Sequence, residues 1–65
     1  MMIEIHQQDG RSVFVAPEAV ASVEEAGTSS QWHGIRARVR LHDGTVYETS
    51  DTAAKVAQTV NEARG

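Results

Sequence analysis

At 65 residues, with a formal net charge of −3, 40% hydrophobic residues and no cysteine, the chain is sized for one small domain (residues 1–65) without disulfides or thiolate metal sites. The composition argues against disorder, no apolar run is long enough to resemble a membrane-spanning helix or a signal peptide, and the acidic balance opposes general attraction to phosphate. With no segment that resembles a signal peptide or a membrane span, the chain is expected in the cytoplasm, and so small a cysteine-free core gains most by covering more surface, which predicts a homo-oligomer.

The first element in chain order is "IEIHQQDGRSVFV", an alternating run, an Asp-Gly and a second alternating run, which is the pattern of a β-hairpin. A three-residue loop ending in a left-handed Gly10 pairs Ile5 with Val13 and Ile3 with Val15, so all four β-branched residues share one face. Next comes "APEAVASVEEAG", which has two readings. Pro17 suits a first helical position, Ala and Glu favour helix, and Gly27 could end it; a single turn over Pro17 to Val20 followed by a strand to Ala26 is the alternative. "GTSSQWHG" follows as a polar loop carrying the only tryptophan. Trp32 there either folds back as a lid on the small core or stands out as an anchor, and the lid is the favoured reading because a small core gains most from covering its edge.

The second hairpin, "ARVRLHDGTVYET", repeats the signal of the first. A two-residue loop would leave Glu48 on the buried side, whereas a three-residue bulged loop at Gly44 pairs Val39 with Tyr47 and sets Arg38 opposite Glu48 on the outer face, burying no charge. The last segment, "SDTAAKVAQTVNEARG", predicts a helix with Ser50 or Asp51 as N-cap and an apolar stripe of Ala53, Val56, Ala57, Val60 and Ala63. The expected fold is therefore α+β: two antiparallel β-hairpins in one curved sheet of four or five strands, with the C-terminal helix packed on its inner face.

Two outer-face features bear on function. Arg36, Arg38 and Arg40 alternate with the inward Ile35, Ala37, Val39 and Leu41, and their strand spacing of ~6.5–7 Å is close to a nucleic-acid phosphate repeat. Phe14, Val46 and Met2 face the same way, and apolar anchors mixed with arginine are how protein interface centres are composed. Metal, phosphate-loop and cysteine-nucleophile signatures are absent, and His6, His33 and His42 are scattered over a strand, a loop and a turn edge. The sequence therefore predicts a non-catalytic protein-binding module, an adaptor, regulator or inhibitor without a cofactor, using Phe14, Trp32, Arg36, Arg38, Arg40 and Val46. A nucleic-acid track along the arginines is the alternative, opposed by Glu48 beside Arg38 and by the scarcity of aromatic partners.

With its Met-Ile opening strand, the turns in "DGRSVFV" and "LHDGTVYE", the segment "VASVEE" and an amphipathic C-terminal helix, the chain resembles the FlbD-type small bacterial flagellar proteins. It departs from them by a longer loop, Gly27 to Gly34, and by its arginines. Phe14 to Asn61 is also similar in layout to the later part of LytTR-type DNA-binding domains. Neither likeness transfers a functional residue. The first implies turn plus strand for Pro17 to Ala26 and a non-enzymatic role, such as a flagellar accessory protein.

Overall fold

The computed structural model describes all 65 residues. Strands β1 (Ile3–His6) and β2 (Ser12–Val15) form the first hairpin. A 3₁₀ turn (Pro17–Ala19) leads into β3 (Val20–Glu25), and a single helical turn, α1 (Thr28–Gln31), leads to the second hairpin of β4 (Ala37–Leu41) and β5 (Val46–Thr49). Helix α2 (Ala53–Arg64) closes the chain.

Both hairpins turn in the same way. Gly10 N–H donates to Gln7 O (3.0 Å) and Gln7 N–H to Arg11 O (2.8 Å); Gly44 N–H donates to Leu41 O (3.0 Å) and Leu41 N–H to Thr45 O (2.8 Å). The glycines at φ 91° and 93° supply the left-handed residue that a bulged three-residue loop requires. Asp9 and Asp43 each accept the backbone N–H two residues on, at 3.0 and 2.9 Å, which holds the loop shut. The resulting registers, Ile3↔Val15, Ile5↔Val13, Val39↔Tyr47 and Arg38↔Glu48, are those the burial argument selects.

The expected single sheet is divided. Hydrogen bonding forms a two-stranded sheet, β1-β2, and a three-stranded one, β3-β4-β5, joined only where Gln7 bridges Thr49. Ser50 N–H donates to His6 O and Gln8 N–H to Glu48 O, both at 3.1 Å, so β1 meets β5 for a few residues. Beyond Thr49 the chain turns into α2, and Ile3 and Ile5 have a helix beside them instead of a strand. The core of Ile3, Ile5, Val15, Val20, Val39, Val56 and Val60 fills the space that both sheets and α2 enclose.

The segment after Pro17 is turn plus strand. Its Val20 and Val23 are three apart, a helical spacing, yet both pack on the core because the ladder shifts register between Val20 and Ser22. A strand wins over a short isolated helix, which would be marginal, because it covers the open side of β4, where Ala37 and Val39 are fully buried. Helix α2 starts two residues later than Ser50 and one later than Asp51 as cap: Thr52 is the N-cap, its hydroxyl accepting from Lys55 N–H at 3.2 Å. Val56 and Val60 of its stripe are buried and Ala53, Ala57 and Ala63 half-buried. At its far end Arg64 reaches the 3₁₀ turn, donating from Nε (3.2 Å) and Nη2 (3.0 Å) to Pro17 O and from Nη2 to Val20 O (2.7 Å).

Candidate protein-binding face

The loop expected to carry a lid does the opposite. Gly27, in extended conformation, precedes α1, and Gly34 at φ 83° turns the chain back into β4. Two bonds close the loop on itself, Gln31 Nε2 donating to Ala26 O (3.0 Å) and Ile35 N–H to Ser30 O (3.1 Å), and one ties it to β4, from Arg38 Nη2 to Ser30 Oγ (2.9 Å). These put Gln31 and Ser30 against the protein and leave Trp32 85% exposed. The lid reading is therefore overturned: the residues this segment buries are Ala26 and Ile35, and the indole stands out in solvent.

The arginine row lies on β4 and just before it, as its alternation requires, but its members are not equivalent. Arg38 stands between two carboxylates, Glu24 on β3 and Glu48 on β5, with Nε 3.7 Å from Glu48 Oε2, and it also holds Ser30. Arg40 lies between Ser22 and Val46 and, like Arg36, is exposed and in no ion pair. Two free cations thus flank a neutralised one, about 13 Å apart along the strand.

Phe14 does not join them. It is 59% exposed, as expected, but lies opposite Glu4 in the first hairpin, whereas Val46 lies opposite Arg40 in the second. Counted from the Gln7–Thr49 bridge, the two sit on opposite sides of the seam, about 20 Å apart along the strands. The six candidate residues therefore fall on two parts of the fold. Trp32, Arg36, Arg38, Arg40 and Val46 belong to the three-stranded sheet and the loop bonded to it; Phe14 and the exposed Met2 belong to the hairpin of β1 and β2.

A second cluster arises where the seam meets α2. His6 Nδ1 and Asp51 Oδ2 are 2.9 Å apart, His6 Nε2 lies 3.4 Å from Glu4 Oε1, and Lys55 Nζ lies 3.6 Å from Asp51 Oδ1. With Ile5, Val56 and Thr59 these residues line a cleft of about 230 Å³. The hydrogen bond to the Asp51 carboxylate raises the His6 pKa against its desolvation, with help from the Glu4 charge. The same bond lowers that of Asp51, against desolvation and with the aid of Lys55. Both ring nitrogens face carboxylates, so the imidazole acts as a strut across the seam. The Asp51–Lys55 spacing is legible in the sequence as an i,i+4 pair, but nothing local announces that His6 completes it from 45 residues away. His33 and His42 lie elsewhere, on the Trp32 loop and the second turn.

No protein-family model, curated protein or solved structure matches the chain. No helix is long and apolar enough to cross a membrane.

Proposed function

We propose that the protein is a non-catalytic, cytoplasmic binding module that docks a protein partner on the outer face of its three-stranded sheet, with Trp32 as the anchor and Arg36 and Arg40 as flanking cations. The observation that carries this reading is the 85% exposure of Trp32 on a turn that Arg38, Gln31 and Ile35 hold in place. With only two rotatable side-chain bonds, an indole on a held turn loses little conformational freedom on docking, and covering it is worth up to about 4 kcal/mol. Tryptophan and arginine are the residues most enriched at interface centres. The alternative of a phosphate track is weakened by Glu24 and Glu48, which flank the middle arginine and would face the same backbone.

The test uses the single tryptophan as its own reporter. Free protein should emit as a solvent-exposed indole, and a protein partner captured on immobilised chain should shift that emission to the blue. Trp32→Ala should weaken capture by about 30-fold or more while Phe14→Ala leaves it unchanged. Capture that ignores Trp32→Ala would refute the reading. Oligonucleotide binding that falls in equal steps through Arg36→Ala, Arg38→Ala and Arg40→Ala, each reducing the salt dependence, would replace it with the nucleic-acid one.

A further inference from the structure

The two outermost strands are not equally protected. Strand β3 carries a register shift between Val20 and Ser22, ends in Glu24 and Glu25, and is shouldered by α2, whose Ala57, Asn61 and Arg64 line a crease with Val20 and Val23. Each of these features discourages another strand from adding to an edge. Strand β2 has none of them. Its residues Ser12, Val13, Phe14 and Val15 pair one for one with β1, include no charge and no proline, and meet no other strand.

The ladder also fixes which groups the edge offers. The closing bonds at Gln7 and Arg11 make Ile5↔Val13 and Ile3↔Val15 the hydrogen-bonded pairs. The N–H and C=O of Ser12 and Phe14 therefore point away from β1 into the open. Phe14, 59% exposed, stands on the outer face of this edge, diagonal to the 57% exposed Met2.

We propose that the protein forms a two-fold symmetric dimer by antiparallel pairing of β2 with β2 of a second copy, Ser12 of one opposite Phe14 of the other. This register uses every open backbone group of the strand and brings the two Phe14 rings diagonally across the axis, within reach of aromatic side chains. Charge favours a second copy in this orientation. Arg11 precedes β2 and Glu18 follows it in the 3₁₀ turn, so antiparallel pairing directs the arginine of each copy toward the Glu18 end of the other. Arg11 Nε lies 3.8 Å from its own Asp9, whose carboxylate also takes the Arg11 N–H at 3.0 Å, but the arginine side chain is 83% exposed and this long, solvated pair competes only weakly with Glu18 of the second copy. A four-residue edge makes a small interface, so the dimer forms at micromolar concentration rather than below it. This edge is independent of the Trp32 face, which lies on the other sheet.

Sedimentation velocity over a concentration series tests it. The wild-type chain should pass from monomer to dimer. Ser12→Pro should remain monomeric with an unchanged circular dichroism spectrum, because it removes an edge donor while the bonds to β1 come from Val13 and Val15. Arg11→Glu and Glu18→Arg should each weaken self-association by at least about tenfold, and mixing the two variants should restore a dimer, since each then meets the opposite charge. Trp32→Ala should dimerise like wild type whatever becomes of partner capture. A chain that stays monomeric, a dimer that survives Ser12→Pro, or charge variants that self-associate as tightly as wild type would each overturn the proposal.

Discussion

Replacing Arg64 by Ala should cost about 2 kcal/mol, a large effect for an exposed side chain. The guanidinium donates to two carbonyls, Pro17 O at 3.2 and 3.0 Å and Val20 O at 2.7 Å, and so ties the last turn of α2 to the start of β3. Hydrogen bonds from a charged donor contribute about 1.5–3 kcal/mol, and the partial exposure of this one places it toward the lower end. A cation in the last turn of a helix adds about 0.3–1 kcal/mol through the macrodipole. In a domain whose core supplies about 3–5 kcal/mol, a loss of 2 is a large fraction, and at about 4–8 °C per kcal/mol it lowers Tm by about 8–16 °C. Thermal melts followed by circular dichroism measure it. Arg64→Lys should recover part of the loss, because an ammonium keeps the charge but not the planar fork that spans two carbonyls. Arg64→Met keeps most of the aliphatic stem and should recover little. If Arg64→Met melts like wild type, the stem and not the hydrogen bonds holds the helix, and the clamp is refuted.

Three further outcomes follow from the same packing. Val39 is fully buried between Val23 and Tyr47, so Val39→Asp puts an unpaired charge in the core at a cost exceeding the whole stability; far-ultraviolet circular dichroism should show an unfolded chain, and a cooperative melt would contradict the assigned register. Because the folded-state pKa of His6 is raised, its contribution is fully present below about pH 6.5 and is lost as pH rises through the higher folded value; the lowered pKa of Asp51 acts oppositely, its contribution fading only as pH falls well below about 4. The melting temperature should therefore decline from about pH 6 to pH 8 in wild type, and His6→Gln should flatten that decline; identical pH profiles would rule out the strut. Glu48→Ala should change stability by no more than about 0.2–1 kcal/mol, since its pair with Arg38 is about half exposed, whereas Arg38→Ala also removes the bond to Ser30 and should cost more; equal losses in a denaturant titration would mean that the Ser30 bond does not help to hold the Trp32 loop.

Strand parity and turn chemistry are local properties, and the order of residues alone reveals them. Alternation in "ARVRLHDGTVYET" and "IEIHQQDGRSVFV" names the inward residues, and the refusal to bury Glu48 selects a three-residue loop, because a one-residue slip would turn every side chain to the wrong face. The outward placement of Phe14, Val46 and the three arginines follows from the same alternation. What alternation along one strand cannot state is where another strand stops. The end of β5 at Thr49 leaves a single bridge to β1, divides the expected sheet in two and separates Phe14 from Val46. Two other features depend on tertiary context for related reasons. Val20 and Val23 carry a helical spacing that becomes a strand only because a bulge forms against β4. Trp32 is exposed on a turn whose form depends on Gln31 bonding Ala26 O and on Arg38 of β4 bonding Ser30. The His6–Asp51 strut and the Arg64 clamp join residues 45 and 44–47 positions apart, and no local pattern encodes which partners will be neighbours once the core of seven buried residues has drawn the helix onto the sheets. Local sequence thus determined the elements, their facing and the hairpin registers, whereas packing decided how far the hairpins join and which outer residues share a surface, because those depend on contacts distant in the chain.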